Sequence, residues 1–246
     1  MIMARQNETL SRVELFRSLT PEQISRLDTR CIWRRANAKE WILDYQDEGA
    51  DVFFLISGVV RVMIRSVAGR ETILRDINAG EFFGELAAID GQARSASILA
   101  ITEATIAKMA APTFLEMVTS HPDVCLQLLR LVTGQVRMLA NRINEFTTLG
   151  IRDRLYLDLL RLSRPDRENV KQAIVSPPPL HADLAGRIST RRETVTKELS
   201  AMEREGLLQR RRGALVILDV PRLIGMIDED KASLEFRAGG NLTPPR

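Results

Sequence analysis

Apolar residues recur at helical spacing from about residue 10 to 33, and this stretch reads as an amphipathic helical lead-in. Within it Thr20-Pro21-Glu22-Gln23 has the form of a helix start: Thr20 as N-cap, Pro21 in the first turn and Gln23 as capping-box partner. The pattern then shortens. Residues 52–56, 60–64, 72–77 and 104–109 are short β-rich runs punctuated by Gly58, Gly69, Gly80 and Gly91. Short strands at regular spacing with glycine turns predict a compact antiparallel barrel or jelly roll from about Trp41 to Met109.

After Pro112 the period lengthens again. Leu129, Val132, Val136, Leu139, Ile143 and Phe146 fall at alternating spacings of three and four and close on Gly150, which is an a/d seam. Arg130, Gln135, Arg137, Asn141, Arg142, Asn144 and Glu145 crowd its flanks. A helix packed only on its own barrel carries a wider apolar stripe, so the narrow seam predicts a second copy of the chain, a homodimer. A second helix over 155–162 leads into a polar, proline-rich connector, 163–179, whose three final prolines favour an extended strut. Residues 180–218 read as two short helices followed by a strand, the turn Arg210-Arg211-Arg212-Gly213 and another strand, a β-wing. Residues 231–246 read as a frayed tail.

With 246 residues and 45% hydrophobic content, the chain can fill two cores. Its net charge of +3 says little, but 14 of its 35 Lys/Arg and only 9 of its 32 Asp/Glu lie in residues 152–213. A basic C-terminal third suits a polyanion. The two cysteines, Cys31 and Cys125, stand in no metal-ligand spacing, which argues against a disulfide framework, a structural zinc or an iron–sulfur cluster. The N-terminal residues form no apolar signal core and no stretch approaches a membrane span, so the expected location is the cytoplasm, with no membrane partner. No Ser/His/Asp, Cys/His or paired-carboxylate arrangement supports an enzyme. His121, before Pro122, reads as a helix cap, His181 as at most a phosphate contact, and Trp33 and Trp41 as packing residues of the barrel.

Two segments carry the chemistry. Arg94 offers a planar fork for a phosphate, Ser95 adds a hydroxyl and an N–H, and Glu85 can accept from a ribose hydroxyl. Gly84 permits a tight turn, after which Leu86 and Ala87 begin a short helix with free N–H groups. At these residues, Phe83-Gly84-Glu85-Leu86-Ala87 followed by Arg94-Ser95-Ala96, the chain resembles the cyclic-nucleotide-binding domain. With its C-terminal segment it resembles the CRP/FNR superfamily of bacterial transcription regulators, catabolite activator protein type, over roughly residues 12–222. The resemblance implies an α+β fold: an antiparallel β jelly roll (12–122), a long dimerisation helix (123–149) and a winged helix-turn-helix domain (150–230) before the tail. It implies a cyclic-nucleotide ligand without metal, a near-palindromic double-stranded DNA partner, and RNA polymerase.

By that analogy Arg94 and Ser95 hold the phosphate, and Glu85 with the Gly84 backbone holds the ribose. Relatives of the family read the adenine edge with hydroxyl side chains on the long helix, and register counted from the hinge puts Leu139 and Ala140 there, beside Asn141. Neither Leu139 nor Ala140 can hydrogen-bond a base edge, so cAMP is favoured over cGMP only by its frequency in the family. The same architecture answering haem, a redox signal or another metabolite is the alternative. In the helix-turn-helix, residues 182–188 would support and 191–204 would read DNA, with Val195, Leu199 and Met202 inward and Arg192, Glu193, Thr196 and Lys197 outward. Arg187, Arg191 and the wing residues Arg210, Arg211 and Arg212 are expected to meet phosphates. Ser189 stands where the family's turn often has Gly, and Lys197 where the activator has Arg, which loosens readout at that base.

Overall fold

The structure is a computed structural model that describes residues 9–65 and 71–227. Gly69 and the tail 231–246 lie outside the described residues. The chain divides into two compact units, 1–135 and 136–246.

The first unit opens with two single-turn 3-10 helices, Leu10–Arg12 and Glu14–Phe16, and then α1, Pro21–Asp28. The capping box at α1 is complete, with Gln23 N donating to Thr20 Oγ1 and Thr20 N donating to Gln23 Oε1 at 2.8 Å. The lead-in is less helical than its periodicity suggests. Residues 31–33 belong to a strand, because pairing with a distant strand in the register Cys31↔Met109 outweighs the local helical pattern.

The strands that follow are β1 (Cys31–Ala36), β2 (Trp41–Leu43), β3 (Val52–Ser57), β4 (Val59–Arg65), β5 (Glu71–Asn78) and β6 (Phe82–Phe83). Helix α2 (Glu85–Asp90), β7 (Ser97–Ala100), β8 (Ala104–Met109), α3 (Ala111–Ser120) and α4 (Pro122–Thr148) come next. They build two antiparallel four-stranded sheets, ordered β1-β8-β3-β6 and β2-β7-β4-β5. Strand β3 is buried on both faces, which is why 52–56 reads as an unbroken apolar run. Phe53 and Leu55 join Val60, Ile77, Ile98 and Ile106 in one core, while Val52, Phe54 and Ile56 pack against Phe16, Phe114, Met117 and Val124 on the helical side. Each large apolar side chain so buried contributes about 1.5–3 kcal/mol. Gly58 links β3 to β4 at φ 89°, and a Cβ there would lie 2.4 Å from the Glu103 carbonyl oxygen.

Trp33 packs at the edge of the helical-side core as expected, but Trp41 does not serve as a core residue. It is 37% exposed, with the Arg65 guanidinium 3.7 Å above its ring. His121 caps α3, its Nδ1 2.9 Å from the Met117 carbonyl oxygen.

Helix α4 buries Val124 and Leu128 against the barrel. Its seam leaves Leu129 58%, Val136 61% and Ile143 64% exposed. Val132 departs from the seam pattern by packing partly on the barrel core.

In the second unit α5 (Ile151–Leu162) is followed by β9 (Arg164–Pro165), β10 (Ala173–Val175), α6 (His181–Arg187), α7 (Arg192–Arg204), β11 (Leu208–Arg211), β12 (Ala214–Ile217) and α8 (Val220–Gly225). The connector is not one extended strut. Ala173 and Val175 turn inward and pair β10 with β12, giving the sheet β11-β12-β10-β9 and confining the strut to its prolines. Helix α8, also unforeseen, starts at Asp219, whose carboxylate accepts from Arg222 N at 3.0 Å. Leu155, Leu159, Leu184, Ile188, Val195, Leu199, Met202 and Ile217 form the core of this unit. Between α6 and α7, Ser189 adopts φ 53°, the left-handed conformation that the turn requires and that a non-glycine residue holds at a cost of about 1–2 kcal/mol.

Candidate functional site

Strand β6 delivers the chain to the cassette with Phe83 stacked on Phe53, ring centroids 5.2 Å apart. Gly84 then takes φ 82° and starts α2. The turn needs glycine twice over, since a Cβ would also lie 2.8 Å from Arg94 Nη1 and 3.0 Å from the Asp51 carbonyl oxygen.

The loop after α2 returns Arg94 into this turn. Its side chain is almost fully buried, with Nη1 donating to the Gly84 carbonyl and Nη2 to the Asp51 carbonyl, both at 2.9 Å. Burial lowers its pKa, against Asp51, Asp47 and Glu85, which favour the charge. Glu85 is 5% exposed. Burial pushes its carboxyl up from the ordinary value, opposed by a backbone hydrogen bond, Arg75, a hydrogen bond from Gln135 and Arg94. Ala87 and Ala96 are buried, while Leu86 and Ser95 are exposed on the rim. Gln135, a polar residue flanking the apolar seam, is the α4 side chain that hydrogen-bonds Glu85. Leu139 and Ala140 are exposed and Asn141 is half-buried, and all three belong to the second unit.

In the second unit the helix-turn-helix runs from α6 to α7, which begins at Arg192 with Arg191 as N-cap residue. Val195, Leu199 and Met202 are fully buried, and Arg191, Arg192, Glu193, Thr196 and Lys197 are exposed on the opposite face. A cleft of about 530 Å³ lies beside α7, lined by residues 178–182, Arg192, Arg210, Arg211, Ala214 and Leu215. Arg210 is drawn to Glu203 at 2.6 Å, whereas the Arg211 Nε meets only Gln209 Oε1 at 3.0 Å.

Arg187 stands apart from this exposed face. It is half-buried, and its charge acts on Asp158 of α5. Asp158 belongs to a buried ionic cluster that the sequence pattern did not reveal. Glu145, near the end of α4, takes two N–H donors from Arg161, one at 2.9 Å. Arg142 lies 3.5 Å from Glu145 and 3.7 Å from Asp158, and donates to the Arg187 carbonyl. The cluster bridges the break at Gly150 and fastens the last turns of α4 to α5 and α6.

Among the described residues no cluster of His, Cys, Asp and Glu could hold a metal ion, and no helix is long and apolar enough to cross a membrane.

A barrel with a buried arginine in a glycine turn, followed by a winged helix-turn-helix, is the layout of DNA-binding regulators with a small-molecule domain. The comparisons with known proteins agree with both halves. Residues 33–121 match the cyclic nucleotide-binding domain family, and residues 153–226 match the Crp-like helix-turn-helix domain. The chain is 27% identical over 206 residues to the cAMP-activated global transcriptional regulator Vfr of Pseudomonas aeruginosa, covering 80% of this chain and 94% of Vfr. Its fold is similar to that of a CooA mutant from Carboxydothermus hydrogenoformans, with TM-score 0.73 and 22% identity over 86% of this chain and 94% of that one. It is also similar to the c-di-GMP responsive regulator CLP of Xanthomonas campestris, with TM-score 0.68 and 20% identity over 80% and 99% of the two chains. The chain belongs to the CRP/FNR family of transcription regulators and is distantly homologous to its cAMP-activated members. It is a DNA-binding regulator with a cyclic-nucleotide-binding domain, in a family of regulators and not of enzymes.

Proposed function

We propose that the chain acts as a homodimer whose affinity for DNA is raised by a cyclic nucleotide held at the turn between β6 and α2. The observation that carries this reading is the buried Arg94, which is locked by two backbone carbonyls beside a second buried charge, Glu85. A phosphate diester supplies the negative charge that two carbonyl dipoles cannot, and Glu85 accepts from the ribose hydroxyl. Ser95 on the rim adds a hydroxyl and an N–H to the phosphate.

The exposed seam of α4, Leu129, Val136, Leu139 and Ile143, supports dimerisation by a coiled coil. In the dimer the two α7 helices would enter successive major grooves of a near-palindromic site, half-sites about one helical turn apart. Arg191, Arg192, Glu193, Thr196 and Lys197 would face bases and Arg211 a phosphate, with RNA polymerase as the downstream partner. Arg187, being engaged with Asp158, would contribute less to phosphate binding than its place in the sequence suggests.

Vfr is named as cAMP-activated and CLP as c-di-GMP responsive, so the fold admits more than one nucleotide. Leu139 and Ala140 offer no hydrogen bond to a base edge, so cAMP and cGMP should differ in affinity by less than about 10²-fold. Redox sensing through Cys31 is disfavoured, since burial and Asp28 push its thiol up to about 12, far from the reactive thiolate. Calorimetry with cAMP and with cGMP tests the proposal. Binding of neither would sink it.

A further inference from the structure

His181 opens α6 and lines the cleft beside α7, its Nδ1 2.8 Å from Thr196 Oγ1. The same Oγ1 lies 3.0 Å from the Arg192 carbonyl oxygen. A carbonyl can only accept, so the single hydroxyl hydrogen is committed to Arg192. With that hydrogen held by Arg192, the contact with His181 is satisfied by the tautomer in which Nδ1 carries the proton and donates it to Oγ1. Thr196 is left with one free acceptor lone pair and its methyl group. In a major groove these complement the amino groups of adenine and cytosine or the thymine methyl, and not the O6 and N7 acceptors of guanine.

We infer that His181 is a positioning residue for sequence readout, which holds the Thr196 hydroxyl as an acceptor on the DNA-facing side of α7. This rests on the reading of α7 as the recognition helix. Without His181 only the Arg192 carbonyl holds the hydroxyl, which can give up that one bond and turn its hydrogen toward the groove, so the base it faces is less sharply sorted by donor against acceptor. Burial, then Arg210 and Arg192, lower the pKa of His181 against the pull of Glu203, so the imidazole is mainly neutral at neutral pH. Protonation would add a donor at Nε2 and leave the Nδ1–H bond in place, so the preference should persist on mild acidification.

The test uses the full-length protein with cAMP, sites enriched from a randomised duplex pool, and titrations against each base-pair substitution. His181→Ala is expected to cut discrimination against guanine at one symmetric base pair about tenfold. Affinity for random DNA and the salt dependence should stay near the parent's. His181→Asn, whose amide N–H can occupy the Nδ1 position, should restore the preference, and it separates lost positioning from a folding defect. Thr196→Ala should lose the same preference, with no further loss on adding His181→Ala.

Uniform weakening of all sequences in His181→Ala, with a shallower salt slope, would make His181 a phosphate contact and overturn the inference. Unchanged preference in that variant would also overturn it. If Thr196→Ala changes nothing while Arg192→Ala relaxes one position, the inference falls and the recognition-helix reading stands. If no variant on α7 alters any preference, that reading falls too.

Discussion

Both units bury charged side chains, but only the first buries a pair, Arg94 and Glu85, with no oppositely charged side chain hydrogen-bonded to either among the described residues. In the first unit one buried charge, Arg61, pairs with Asp76 at 2.8 Å, but two others, Arg94 and Glu85, sit where a ligand is proposed to bind, surrounded by backbone carbonyls, a Gln135 amide and the fields of Asp51, Asp47 and Arg75. In the second unit the buried charges, Glu145 and Asp158, pair with the exposed Arg161 and the largely buried Arg142, while Arg192 and Lys197, proposed to face DNA, stay in water. The difference follows from the size of the ligand. A cyclic phosphate can be wrapped and desolvated, so its binding groups can be buried in advance. A duplex presents a long hydrated surface, so its binding groups must remain exposed and the buried ones are left to hold the helices in place.

The largest expected effect breaks this contrast on the structural side. Glu145→Ala strands Arg161 and Arg142, and loss of one partner from a buried ionic cluster costs about 3–5 kcal/mol. Thermal melting should show the second unit unfolding well below the first. Co-melting at the parent's temperature would show that the cluster is not a strut.

Next comes the binding side. Arg94→Ala should cost at least about 3 kcal/mol of nucleotide affinity, because a buried phosphate loses its charge partner. Calorimetry measures it, and parent-like affinity would mean that the buried guanidinium is structural, as in the second unit.

On the exposed face the effects are smaller and depend on sequence. Arg192→Ala should relax one guanine preference by about 1–3 kcal/mol, while Arg211→Ala should weaken all duplexes alike. Equal loss on specific and random DNA in Arg192→Ala would show that α7 is not the reading helix.

The smallest effect is a pH dependence. Burial raises the Asp158 pKa against Arg187, Arg142 and Arg161, and its Oδ2 has no hydrogen-bond partner among the described residues. A carboxyl whose folded-state pKa is raised contributes stability below its ordinary value, and this is lost as pH rises through the raised one. Asp158→Asn should therefore melt above the parent at neutral pH and converge with it in acid. A lower melting point at neutral pH would mean that the arginines favour the charged form after all.

Much of this was legible in the sequence because it is local. The cassette announces itself by residue types in order, and the outward face of α7 by helical spacing. The Thr20 cap and the runs that became β3, β4, β5 and β8 were equally plain. What escaped notice depends on partners far along the chain. Strands β1 and β10 form because β8 and β12 are there to pair with them. Trp41 looked like core but lies under Arg65, and Glu145 looked like a solvated flank but meets Arg161. Gln135 gave no signal beyond a polar residue beside a seam.

The central claim is that a nucleotide bound at Arg94 governs DNA affinity. Titration of an enriched duplex with the parent protein and with Arg94→Ala, each with and without cAMP or cGMP, tests it most directly. The account predicts tighter DNA binding by the parent when nucleotide is added and no response in Arg94→Ala. A parent indifferent to both nucleotides, or a variant that responds as the parent does, would contradict it.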